Sequence, residues 1–186
     1  ITSVDGGVTA PAGFRSAGVH CGIKKVATAL DLAVIASDAD AAAAGIFTTN
    51  LALAAPVIVS RSHLDTSGGR ARAVVVNSGC ANACTGKRGL ADARATAETA
   101  AQELGIRADA VYVASTGVIG EFLPMTKITT GITTAAGLLS ASGWEPAAEA
   151  IMTTDIYPKL SVVQEEIGGK TVTVAGIAKG SGMIQP

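Results

Sequence analysis

The stretch ARAVVVNSG, residues 71–79, limits the fold more than any other part of the chain. Three consecutive valines favour a strand, and a strand without polar alternation belongs in a sheet covered on both faces. Asn77, Ser78 and Gly79 break the run, and a helical pattern follows. Residues 89–104 carry Leu90, Ala93, Ala97, Ala101 and Leu104 at three- and four-residue spacing, with Gly105 as a stop. A covered strand feeding a helix is α/β architecture. Composition agrees, because 48% of residues are hydrophobic but only 3% aromatic, and 22 are glycine. Small side chains of this kind suit closely packed layers.

Further strand-like runs lie at 30–37, 44–48, 55–61 and 110–115. Residues 160–167 and 170–178 flank Gly168-Gly169, which reads as a hairpin because a tight primed turn needs positive φ at both centres. A second helix is expected over 125–139, after Pro124, and a third over 145–153, with Pro146 near its first turn. There is no internal repeat and no linker long enough to split domains. At 186 residues the chain is expected to be one domain, or a large part of one. Adjacent strands followed by helices predict a layered α/β sandwich more than a regular βαβ repeat.

Several function classes fall away. The net charge is −1 and no basic patch is interleaved with aromatics, which argues against nucleic acid. The longest apolar runs, such as 41–47, are far short of a membrane span. There is no signal-peptide pattern and no initiator Met, so a trimmed N-terminus is expected. Cys21, Cys80 and Cys84 are an odd set without framework spacing, which argues for a reducing cytosol. His20 and His63 lack ligand-spaced neighbours, and no metal site is expected. All five residues read as structural; a Cys-His nucleophile pair is the alternative.

Four segments place small polar residues against apolar structure. NSGCANACTG, residues 77–86, exposes amides at a strand end, where α/β proteins build sites; it also reads as a capped turn into the next helix. ASTGVIG, residues 114–120, runs a strand into Thr116-Gly117, which can stabilise an oxyanion or form an ordinary turn. IMTTD, residues 151–155, offers Thr153, Thr154 and Asp155 to a polar substrate, or ends a helix. AKGSG, residues 178–182, sets Lys179 at a strand end as an anion or carboxylate contact, or as a surface charge. No Ser-His-Asp set, H-E-x-x-H, Walker loop or G-x-G-x-x-G occurs, so no nucleophile is evident.

Read in order, VTAPAGFRSAGVHCGIK, AGIFTTN, NSGCANACTG, STGVIG, LPM, AIMTTD and GIAKGSGM span nearly the whole chain. On these motifs the sequence resembles the α (N-terminal) chain of bifunctional ornithine acetyltransferase/N-acetylglutamate synthase, the glutamate N-acetyltransferases of arginine biosynthesis. Precursors in that family cut themselves before a threonine a few residues beyond AKGSGM. The closing stretch VAGIAKGSGMIQP, a strand, a lysine, a glycine-rich turn and then Met183 and Ile184, is therefore expected to be completed by a partner β chain.

The resemblance implies a ping-pong acetyl transfer from N-acetylornithine to glutamate through the β-chain threonine, whose own α-amine is the base. It implies no cofactor, with acetyl-CoA as a further acetyl donor in many members. It assigns the oxyanion hole to Thr116 and Gly117, and substrate contacts to Lys179 and to Thr153 or Thr154. These positions match the family pattern. The implied fold is an αββα-type sandwich with strands from both chains. The implied assembly is two αβ pairs in the cytoplasm. Rival readings are an acetyltransferase of clavulanic acid gene clusters, which shares STGVIG and MTTD but fits NSGCANACTG less well, an aminopeptidase of similar topology, and a non-catalytic small-molecule binding domain.

Overall fold

The structure, a computed structural model, describes residues 1–181. Gly182, Met183 and Ile184, part of the expected closing turn and apolar end, lie outside the described residues.

One sheet is built from β2 (Phe14–Val19), β3 (Leu32–Ala42), β4 (Arg70–Cys80) and β5 (Val111–Val118), in that order. Its first three strands are antiparallel, while β4 and β5 run parallel. The parallel pair requires a crossover, supplied by α2 (Gly86–Leu104). A second sheet places β1 (Thr2–Ser3) beside β6 (Lys159–Ile167), and β6 beside β7 (Lys170–Ala178). The remaining helices are α1 (Ala55–Thr66), α3 (Met125–Gly137) and α4 (Trp144–Ala150).

The expectation of two-sided cover for the valine run is borne out. Val75 is buried with Leu32, Val34 and Val111 in a cluster shared with Ala97, Ala101, Ile128 and Ile132 of α2 and α3. The next residue, Val76, faces the other way and joins Ala33, Ala147, Ala150 and Ile177. Helices therefore cover one face of the first sheet, while α4 and β7 cover part of the other. The α/β class stands, with a single βαβ unit among antiparallel pairs. The glycine hairpin also stands: Ile167 pairs with Lys170, and Gly168 and Gly169 have φ of 59° and 74°.

Two expected strands are not found. Residues 44–48 form irregular chain. Residues 55–61 belong to α1, in spite of their β-branched content. Pro56 fits the first helical turn, and Ala55, Pro56, Val59 and Ser60 make one buried stripe at helical spacing. That stripe lies on β5, the edge of the first sheet. Ser60 Oγ donates to the Val113 carbonyl at 2.7 Å and accepts from the Val113 N–H at 2.9 Å, and His63 Nδ1 meets the Val111 carbonyl at 2.7 Å. A helix thus satisfies the edge groups that another strand would take. The third helix stops at Ala150 rather than at 153, and a turn follows.

Candidate active site

The parallel strands β4 and β5 end together. Gly79 pairs with Gly117, and the register shifts at Gly79/Cys80. The two backbones nearly touch: a Cβ on Gly117 would sit 2.3 Å from the Gly79 carbonyl carbon and 2.6 Å from Cys80 N. Gly117 also has φ of +133°, a conformation that favours glycine. Glycine is therefore required here on two independent grounds.

Thr116 precedes this contact and lines a cleft of about 640 Å³ with Gly117, Thr153, Thr154, Lys179 and Lys24. All five residues singled out in the sequence come together, although they arrive from β5, the turn after α4 and the end of β7. Lys179 Nζ donates to Thr116 Oγ1 and to Thr153 Oγ1, each at 2.9 Å. Both hydroxyls accept from the ammonium, so each keeps its own hydrogen to donate into the cleft. Thr154 is turned differently. Its hydroxyl meets Ser181 Oγ at 3.1 Å. Of the two threonines left open by the sequence, Thr153 is the one coupled to Lys179.

Asp155 locks these segments together. Its carboxylate accepts from Gly180 N at 2.6 Å, Thr153 N at 3.2 Å and Lys159 Nζ at 2.5 Å. The Lys159 hydrogen bond, helped by the Gly180 and Thr153 N–H groups, holds the carboxyl well below the usual carboxylate range against the opposing effect of burial.

The loop that brings Lys24 to the cleft is tied down by Asp31, a fully buried carboxylate. It accepts four backbone N–H bonds, from Cys21 at 2.7 Å, Gly22 at 3.0 Å, Ile23 at 2.7 Å and Lys24 at 3.0 Å. Burial opposes its ionisation, and these N–H bonds outweigh that effect and depress its pKa. The sequence marks neither Lys24 nor Asp31 as a site residue: Lys24 closes the motif VTAPAGFRSAGVHCGIK beside a second lysine, and Asp31 lies between two leucines.

NSGCANACTG has a divided role. Gly79, Ala81 and Ala83 line the cleft. Its polar side chains bond inward: Asn77 to the Cys80 carbonyl, Ser78 to the Ala150 carbonyl and Asn82 to the Gly89 carbonyl. Those side chains hold the turn, but the expected Asn and Ser caps are not found: the N-cap of α2 is Thr85, which makes no side-chain cap hydrogen bond and donates instead to Asn82 Oδ1. Cys21 is a poor nucleophile, since burial and then Asp31 push its thiol up to about 12. Among the described residues, no Cys hydrogen-bonds a His, and no three His, Cys, Asp or Glu side chains are grouped to hold a metal. No helix of the described residues is long and apolar enough to cross a membrane.

Known proteins are similar to this chain in sequence and fold. The profile of the ArgJ family matches residues 15–186. The arginine biosynthesis bifunctional protein ArgJ of Symbiobacterium thermophilum is 54% identical over 182 residues, which cover 97% of this chain and 45% of that protein. The protein of the same name from Streptococcus thermophilus is 44% identical over 183 residues, 98% of this chain and 45% of that protein. Among solved structures, the arginine biosynthesis bifunctional protein of Bacillus halodurans superposes with a TM-score of 0.92 at 43% identity, covering 100% of this chain and 96% of that one. Ornithine acetyltransferase of Mycobacterium tuberculosis, complexed with ornithine, gives 0.91 at 48% identity over 97% of this chain and 94% of that one. The chain spans about 45% of the length of the curated relatives it matches.

Proposed function

The chain belongs to the ArgJ family, and on that premise we propose that it is the N-terminal part of an acetyltransferase of arginine biosynthesis. The enzyme moves an acetyl group from N-acetylornithine to glutamate. A threonine at the head of a β chain, cut from the same precursor, attacks the acetyl carbonyl. Its α-amine takes the hydroxyl proton and delivers it to the departing nitrogen of ornithine, leaving an acetyl ester on the threonine. The glutamate amine then attacks the ester, its proton returns to the threonine oxygen, and N-acetylglutamate leaves.

The residues of this chain act on charge. Each attack places negative charge on the acetyl oxygen. Thr116 donates its free hydroxyl hydrogen to that oxygen, and Gly117 supplies a backbone N–H. Lys179 stands behind Thr116 and makes its hydroxyl a stronger donor. Thr153 offers a second hydroxyl to the bound amino acid. The observation that carries this reading is the double hydrogen bond from Lys179 to Thr116 and Thr153 inside one cleft.

Exposed apolar side chains on the hairpin support a partner chain. Ile167, Val172 and Val174 are 60%, 40% and 61% exposed. Two such αβ pairs form the assembly, in the cytoplasm, with no cofactor and with acetyl-CoA as a further acetyl donor. The test uses the purified full-length protein with N-acetylornithine and glutamate. Equimolar ornithine and N-acetylglutamate are expected. Ornithine without N-acetylglutamate, or no turnover, would overturn the assignment.

A further inference from the structure

Lys24 carries the inference. It lines the same cleft as Lys179, and no Asp or Glu is among the residues lining it. Its place is fixed by more than chance. The buried Asp31 carboxylate holds the backbone of residues 21–24 through four N–H bonds. The lysine stem crosses Gly79: a Cβ on Gly79 would lie 3.3 Å from Lys24 Cγ and 3.0 Å from Ile23. Gly79 in turn packs on Gly117. The half-buried lysine therefore lies against the Gly79–Gly117 contact at the strand end that bears Thr116.

The donors of the two lysines are used unequally. Among the described residues, Lys179 Nζ spends two of its three hydrogens, on Thr116 and Thr153. Lys24 Nζ spends one, on the Leu30 carbonyl at 2.6 Å. A carboxylate has two oxygens to satisfy, and Lys24 retains two donors against one on Lys179. Burial pulls the Lys24 ammonium below the ordinary lysine range, an effect opposed by Asp31, so a bound anion would restore compensation that burial removes.

We infer that Lys24 is a second cationic recognition residue of this cleft and binds the α-carboxylate of the amino-acid substrate together with Lys179. The inference rests on the acetyltransferase reading for the identity of the ligand. The α-carboxylate is the anion that donor and acceptor share, and a ping-pong site must hold both in turn. Asp31 positions Lys24 and touches no substrate.

The test is equilibrium binding to the full-length protein, by calorimetry, of ornithine and of ornithinamide. Neither can donate an acetyl group, so no turnover intervenes. Lys24→Met is compared with Lys24→Gln, which keeps an N–H for the Leu30 carbonyl while removing the charge, and with Lys24→Arg. Loss of one charged hydrogen bond is expected to weaken ornithine binding about 10- to 100-fold in the Met and Gln variants. Ornithinamide binding should change less than about twofold, and Arg should recover most of the ornithine affinity. Equal losses for acid and amide in both uncharged variants, or no loss in either, would overturn the inference, as would a wild-type protein without preference for the acid. A wild-type protein that binds ornithine in this Lys24-dependent way but transfers no acetyl group would sink the acetyltransferase reading and leave Lys24 as a carboxylate receptor.

Discussion

Lys179 donates a hydrogen bond to Thr116 across 2.9 Å, joining the end of β7 to the end of β5. These strands belong to different sheets. The link therefore couples the two sheets at the point where negative charge is proposed to develop.

The first prediction follows from that hydroxyl. As the proposed oxyanion donor, Thr116 would act mainly in the transition state, so Thr116→Ala should lower kcat about 10²–10³-fold while KM changes little. The measurement is steady-state kinetics on already processed enzyme, because the proposed self-cleavage would also pass through a tetrahedral intermediate. A normal kcat with a raised KM would make Thr116 a binding residue and move the oxyanion assignment elsewhere.

Gly117→Ala should damage fold and activity together. The added Cβ meets the Gly79 carbonyl carbon at 2.3 Å, and φ is +133°. Backbone strain alone costs about 1–3 kcal/mol, and the clash forces β4 and β5 apart. A lowered melting temperature with loss of kcat is expected. A variant of wild-type stability and activity would show that the glycine contact is dispensable.

Much of this was legible in the sequence, for identifiable reasons. The valine run, the Gly168-Gly169 hairpin and the small-residue periodicity of α2 are local signals, and tertiary packing agreed with them. Thr116, Gly117, Thr153 and Lys179 were marked by interruptions of apolar structure. Their mutual bonding was not readable, because it joins positions up to 63 residues apart. Residues 55–61 misled because β-branched propensity favours a strand, whereas burial against the β5 edge selects a helix. Asp31 was silent, since a carboxylate gathering backbone N–H groups leaves no sequence period, and Lys24 closed a motif without any sign of the cleft it lines.

Asp155 gives a pH prediction. Its carboxyl is depressed in the folded state, first by the Lys159 hydrogen bond. Such a group binds fewer protons folded than unfolded, so its stabilisation is complete above the unfolded value near 3.9 and is lost as pH falls through the folded value. Asp155→Asn should lower the melting temperature by a constant margin from about pH 8 to pH 5, and the margin should shrink below about pH 4. A margin that widens on acidification would contradict the clamp.

Ser60→Ala tests the helix that closes the β5 edge. It removes both hydrogen bonds to Val113. Two backbone groups of a buried edge are left unpaired, at a cost of about 1–3 kcal/mol each. Denaturant unfolding should show that loss with the denaturant dependence unchanged. No change in stability would mean that water replaces the serine.

The central claim is acetyl transfer through a covalent intermediate beside Thr116 and Gly117. Its most direct measurement mixes processed full-length protein with N-acetylornithine and no acceptor, then records released ornithine and the intact mass of each chain. The account predicts a burst of ornithine equal to the active sites and one acetyl group on the partner chain, discharged when glutamate is added. Ornithine release that requires glutamate, with neither chain ever acetylated, would contradict it.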